Sequence, residues 1–174
     1  DKGKAEIDKR INDYFISLNH ELDISYNNSR MNQLSHDCIF GTDANPRMAR
    51  TAKMNMIMHG DGHGGVHHHD GLLNVNGIFE NRFDIILTNP PFGSHVEKSL
   101  LVTEADMYTD ASKINYYTER YGDEYIQALH QVNGNLNKSV LSLYESGKLS
   151  GLTEVLFIER CLRLLKPGGR LGIV

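Results

Sequence analysis

The 174-residue sequence has no tryptophan, only two cysteines and four prolines, and no excess of positive charge. No apolar run approaches the ~20 residues that cross a bilayer, and no signal-peptide pattern is present, so a membrane protein is not expected. The two cysteines, Cys38 and Cys161, each lie inside an apolar stretch and read as buried, reduced thiols of a cytoplasmic protein. Eighteen Lys and Arg face twenty-two Asp and Glu, a net charge of −4. A free-standing electrostatic nucleic-acid binder is basic, so contact with DNA or RNA has to come through a local site or a further part. There is no internal repeat. A hydrophobic fraction of 40% and a mean hydropathy of −0.41 exclude collagen, coiled coil and wholesale disorder. One domain is the expectation from length.

What is present alternates. Ile7, Ile11, Tyr14, Phe15 and Leu18 recur at helical spacing, and polar residues without a period follow over 23–36, so residues 1–36 read as a helix and a loop. Cys38-Ile39-Phe40 ends at Gly41-Thr42-Asp43 as a buried parallel strand does. Pro46 suits a first helical turn, and the Met-rich run that follows stops at Gly60. Gly60 to Asp70 is rich in Gly and His and reads as loop. Phe83 to Thr88 is a second strand, ended by Asn89-Pro90-Pro91-Phe92-Gly93, since two prolines forbid further ladder bonds. Residues 97–130 hold seven acids and three bases, hence the whole net charge. They read as a partly helical surface insertion, with outer bounds near 97–150. Val155, Ile158, Leu162 and Leu165 form a helical stripe widened by Phe157, Cys161 and Leu164. Lys166-Pro-Gly-Gly169 stops that helix, and Leu171 to Val174 begins a strand. Strands alternating with helices over 37–174 predict an α/β fold, a mostly parallel sheet with helices on both faces.

Ligands of open parallel sheets bind beyond the carboxyl ends of the strands, where Asp43 and Asn89–Phe92 both fall. The two prolines after Asn89 make a rigid turn that lacks N–H groups and so presents acceptors. The Asn89 side-chain oxygen and the Pro90 carbonyl suit the two N–H groups of an exocyclic amine. Held that way, the amine nitrogen becomes more tetrahedral and its lone pair turns toward an electrophile. Phe92 offers a flat face, and base–aromatic stacking contributes ~1–3 kcal/mol. A base must leave its helix to reach such a site. The plainer alternative is a Pro-terminated strand with Phe92 in the core. Asp43 can accept from both hydroxyls of a ribose, or it can cap the helix at Pro46. His63, His67, His68 and His69 cannot all face one metal, and no HExxH helix accompanies them, so no metal site is expected. Arg47, Arg50 and Lys53 recur every three residues, most simply as a solvated helix face.

Phe83-Asp-Ile-Ile-Leu-Thr-Asn-Pro-Pro-Phe-Gly93 resembles the catalytic motif of amino-methyltransferases that use S-adenosyl-L-methionine. Gly41-Thr-Asp-Ala-Asn-Pro-Arg-Met-Ala-Arg-Thr-Ala-Lys-Met-Asn-Met-Ile-Met-His-Gly60 is similar to the segment after the second strand in the modification (M) subunits of type I restriction systems. Leu164-Leu-Lys-Pro-Gly-Gly-Arg-Leu-Gly-Ile-Val174 matches the helix-to-strand corner of that family. The resemblance covers roughly 37–93 and 153–174. It implies a Rossmann-like methyltransferase core and methyl transfer to the N6 amine of an adenine flipped from DNA. It also implies cytoplasmic partners, a specificity (S) subunit and a restriction subunit. Asn89, Pro90, Pro91 and Phe92 take the catalytic positions, Asn89 also facing the cofactor. By the same resemblance Asp43 binds the cofactor ribose, with Ala44 beside it lining the adenine pocket. Asp70, with Gly71 and Leu72, corresponds to the acidic position that accepts from the cofactor's adenine amine; the alternative for Asp70 is a solvated loop acid.

The Asn-Pro-Pro-Phe tetrapeptide is shared with RNA and protein-glutamine methyltransferases, and the Met-rich helix closing in His59-Gly60 favours DNA adenine. The family's Gly-rich turn under the methionine part of the cofactor has no counterpart before Asp43. The core therefore reads as incomplete, with its first strand expected upstream of Asp1 and the chain as a piece of a longer protein. A non-catalytic assembly module with this fold is the alternative from another class.

Overall fold

A computed structural model describes residues 6–7, 9–14, 17, 38–59 and 65–174. The described residues before 18 are helical, as the periodicity requires, but Ile7, Ile11 and Tyr14 lie exposed. Phe15, Leu18, the expected loop over 23–36 and His63 fall outside the described residues.

The chain divides into two units, one of residues 1–41 and 45–68, the other of 42–44 and 69–174. Strand β1 (Phe40–Asp43) runs from the first into the second. In the first unit, helix α1 (Pro46–Met58) opens on Asn45, whose Oδ1 accepts from the N–H groups of Arg47 at 2.9 Å and Met48 at 3.3 Å. That cap, with Pro46 in the first turn, explains why the helix starts where it does. It also removes Asp43 from the capping role. Arg47, Arg50 and Lys53 are exposed, as a solvated face requires. Cys38, expected to be buried, is exposed. Gly65–His68, expected as loop, is strand β2 and pairs with β1. Gly65 permits this pairing, because a Cβ there would run into the Phe40 ring and meet the Ile39 carbonyl oxygen at 2.8 Å.

The second unit holds strand β3 (Phe83–Thr88) beside strand β4 (Leu165–Ile173), in parallel. Ile85 faces Arg170, and the ladder continues to Thr88 opposite Ile173. Between Phe83↔Leu165 and Ile85↔Arg170 the register slips, and the Lys166–Gly169 segment bulges there with Gly168 at φ +83°. The described strands thus make two separate two-stranded sheets, of which β3–β4 supplies the parallel pairing that the sequence predicts. Coverage of both sheet faces is not seen: Ile85 and Leu87 on β3 are 62% and 82% exposed.

Two corrections concern the core. The 97–130 stretch is not confined to the surface. Helices α2 (Ala111–Tyr121) and α3 (Asp123–Asn133) turn their acids outward and send Tyr125, Ala128 and Val132 inward. Val102 and Tyr125 are fully buried, Val102 against Leu72 and Leu156, Tyr125 against Phe79. Helix α4 (Thr153–Leu164) buries Leu156, Arg160, Cys161 and Leu164 and leaves Val155, Ile158 and Leu162 in solvent. A helix with apolar residues on more than one face presents more than one plausible stripe, and packing selects among them. Leu165 has already left the helix for β4.

Candidate functional site

Every residue that the sequence singles out for binding or catalysis, from Asp43 and Ala44 through Asp70–Leu72 to Asn89–Phe92, lies in the second unit. β3 ends at Thr88, so the Asn-Pro-Pro-Phe turn emerges beyond the carboxyl end of a parallel pair. Pro90 is buried and anchors the turn, whereas Asn89 and Pro91 are exposed. Phe92 is 66% exposed, which removes the alternative that it is a core residue. The ring therefore lies at the surface and is not spent on packing.

The turn is fixed from a distant part of the chain. The Gly93 N–H donates to Glu154 Oε1 in the first turn of α4 at 2.6 Å. The Gly93 N–H bond holds the Glu154 carboxyl below its usual range, helped by His95 nearby. Next along, Ser94 O accepts from Thr153 N at 3.1 Å and Thr153 Oγ1 at 2.7 Å. The Val96 N–H reaches Gly151 O at 2.8 Å. Gly93 itself sits at φ +67°, a conformation that a side chain would strain.

The acidic loop meets the same helix. Asp70 Oδ1 accepts from the Leu72 N–H at 2.9 Å, closing an Asx turn. Asp70 is half-buried and not a free solvated acid. A Cβ on Gly71 would stand 3.0 Å from the Phe157 ring, a tight contact that shows how closely the loop lies against α4. Glu154 and Phe157 are three residues apart on one helix, neighbours on its surface about 4.5 Å along the axis. A single turn of α4 therefore places the Gly93 end of the Asn89–Gly93 turn beside the Asp70 loop.

Asp43 joins them through the backbone, as the His69 N–H donates to Asp43 O at 3.2 Å. The end of β1 thus abuts the residue before Asp70, and Ala44 is exposed beside it. His69 Nε2 stands 3.8 Å from Asp106 Oδ1, and its Nδ1 is 3.1 Å from Asp70 O. Among the described residues no three His, Cys, Asp or Glu side chains gather as metal ligands. Among them, too, no helix is long and apolar enough to cross a membrane.

Asp43 and Asp70 are both half-buried, and a carboxylate is the acceptor that the hydroxyl and amine donors of a nucleoside would need. Asp70 Oδ2 and the Gly71 N–H carry no other hydrogen bond among the described residues, leaving one acceptor and one donor side by side. Two contributors escaped the sequence reading, Glu154 and Arg160. Their partners lie 61 and 86–89 residues away, and no local spacing encodes such a contact.

The family model described as N-6 DNA Methylase matches residues 16–139, a span that includes Asp43, Asp70, Asn89–Phe92 and the acidic stretch after them. A search of curated proteins and of solved structures finds no match. With well over half of its length matched, the chain belongs to the N-6 DNA methylase family.

Proposed function

We propose that this protein transfers a methyl group from S-adenosyl-L-methionine to the N6 amine of adenine in DNA. We place it as the modification subunit of a type I restriction–modification system, working in the cytoplasm with a specificity subunit and a restriction subunit. Residues 37–174 then belong to a Rossmann-like catalytic core, and residues 1–36 precede it. The observation that carries the reading is the Asn89–Phe92 turn: beyond the carboxyl end of a parallel strand, anchored on buried Pro90, with Asn89 and Phe92 open to solvent.

S-adenosyl-L-methionine supplies an electrophilic methyl group. The chain's own residues bind and orient. Asp43 accepts from the ribose hydroxyls of the cofactor, and Ala44 lines its adenine pocket. Asp70 accepts from the cofactor's adenine amine, with Gly71 and Leu72 forming the wall beside it. On the substrate side, the flipped adenine stacks on Phe92. The Asn89 side-chain oxygen and the Pro90 carbonyl accept the two N6–H bonds and turn the nitrogen lone pair toward the methyl group. Pro91 keeps the turn rigid. As the bond from N6 to the methyl carbon forms, the methyl–sulfur bond would break and S-adenosyl-L-homocysteine would leave; the nitrogen, by then cationic, would release its proton to water, so no strong base is needed. Catalysis in this scheme is positioning and electron redistribution.

The test is transfer of labelled methyl to DNA, RNA and protein by the full-length protein and by its Asn89→Ala variant. The expected result is label in DNA adenine alone, a loss of at least about a hundredfold in Asn89→Ala, and an unchanged affinity for S-adenosyl-L-methionine. Near-normal turnover by the variant removes Asn89 from its role. Label in RNA or in a protein glutamine moves the substrate assignment, and none in any of the three favours an assembly module.

A further inference from the structure

Arg160 is 3% exposed, yet each of its hydrogen-bond partners is neutral. Nε donates to Gly71 O at 3.1 Å, Nη2 to Leu73 O at 2.8 Å and Nη1 to Asn74 Oδ1 at 2.6 Å. The carbonyl between them, Leu72 O, accepts from the buried Tyr144 hydroxyl. Three successive carbonyls of the Asp70 loop are therefore drawn inward by two side chains. Asn74 is braced in turn, its Nδ2 donating to Gln131 Oε1 at 3.0 Å, while Gln131 Nε2 donates to Glu80 Oε1 at 3.2 Å. The cavity beside this network, about 20 Å³, holds no more than one water, so the guanidinium is not itself a ligand site.

A buried charge without a carboxylate partner is expensive, and an apolar side chain of similar volume would serve packing as well or better. What a guanidinium does that an apolar group cannot is hold several carbonyls at once in a fixed fork. All three bonds of Arg160 go to one short segment, Gly71–Asn74, immediately after Asp70. With its carbonyls committed inward and Leu72 N–H closed onto Asp70 Oδ1, that segment leaves Asp70 Oδ2 and the Gly71 N–H for a ligand. We propose that Arg160 is a positioning residue for cofactor binding: from the buried face of α4 it locks the Asp70 loop into the one conformation that receives the cofactor's adenine. This rests on the assignment of Asp70–Leu72 to the cofactor.

The experiment titrates S-adenosyl-L-methionine into the full-length protein and its Arg160→Met, Arg160→Lys, Asn74→Ala and Asp70→Ala variants. Alongside it, amide exchange without cofactor and methyl transfer at saturating cofactor are measured. Loss of loop preorganisation in Arg160→Met is expected to raise the dissociation constant about tenfold while kcat falls less than about threefold. Amide exchange should quicken at Leu72–Asn74 while the α3 core amides hold their protection. Arg160→Lys, which keeps a donor but not the fork, should recover part of the affinity. Asn74→Ala removes one of the three bonds, and its smaller loss of affinity carries the test should Arg160→Met fail to fold. An unchanged dissociation constant in a folded Arg160→Met, or exchange that quickens evenly across the core, overturns the proposal. If Asp70→Ala binds as well as the parent, the cofactor assignment fails and the proposal falls with it. If Asp70→Ala weakens binding and Arg160→Met does not, the assignment stands and the positioning role alone is lost.

Discussion

Glu154 shows how far a single residue can act in this protein. Its carboxylate takes the Gly93 N–H at 2.6 Å, and that bond holds its pKa below the ordinary carboxylate value. A depressed folded-state pKa means the bond is in place at and above the ordinary Glu value and is lost as pH falls through the lower, folded value. At neutral pH the Asn89–Phe92 turn is therefore fully held. We expect Glu154→Ala to lower kcat about tenfold at neutral pH, the order of effect of a misplaced reacting group. Glu154→Gln, which keeps an acceptor and does not titrate, should restore most of it, with cofactor affinity unchanged in both. Equal kcat in Glu154→Ala and the parent would remove the tether from the mechanism. The place of the turn was legible in the sequence because it is local: two prolines after an apolar run end the strand whatever surrounds it, and β3 ends at Thr88. Even there the capping residue was not read, since Asn45 rather than Asp43 closes the start of α1. Glu154 and Arg160 were not legible, because a carboxylate and a guanidinium in an amphipathic helix look alike whether they face water or a distant loop.

Helix α4 carries the lesson at the scale of an element. Its existence and its stop just before the Lys-Pro-Gly-Gly corner follow from the sequence, but its orientation does not. The stripe of Val155, Ile158 and Leu162 faces solvent, while Leu156 is fully buried and Leu162 is 60% exposed. Leu156→Ala should therefore cost about 2–5 kcal/mol through lost burial and the cavity left behind. Leu162→Ala should change stability by less than about 0.5 kcal/mol. Urea unfolding of the two variants decides between the faces: the midpoint should fall for Leu156→Ala alone, with little change in slope. The reverse order would restore the stripe suggested by periodicity. β2 was missed for the opposite reason. Gly65 and its histidine neighbours have the composition of a loop, and only the approach of β1, which demands a glycine at 65, makes that segment a strand.

The whole molecule was legible as a class and not as an arrangement. Alternating strands and helices announced α/β, and the parallel β3–β4 pair is what that pattern requires. That the strands fall into two small sheets, and that the acid-rich 97–130 stretch helps build the core, depends on long-range packing absent from local composition. The two cysteines test this arrangement without disturbing it, since each unit holds one. Cys38 is exposed, whereas Cys161 is buried in α4, where desolvation raises its thiol pKa. A thiolate is the reactive form, so burial protects Cys161 twice, by access and by protonation. A thiol reagent should therefore label one cysteine per native chain quickly, at Cys38, and the second only as the unit containing α4 opens. In urea the labelling of Cys161 should follow the same midpoint as the loss of helix. Under the proposed function, saturating S-adenosyl-L-methionine should slow it further, because a ligand that binds only the folded state lowers the open population. Rapid labelling of both thiols in the native chain would show that α4 does not bury the face assigned to it here. The hold of that helix on the Asp70 loop and on the Asn89–Gly93 turn would then be lost together.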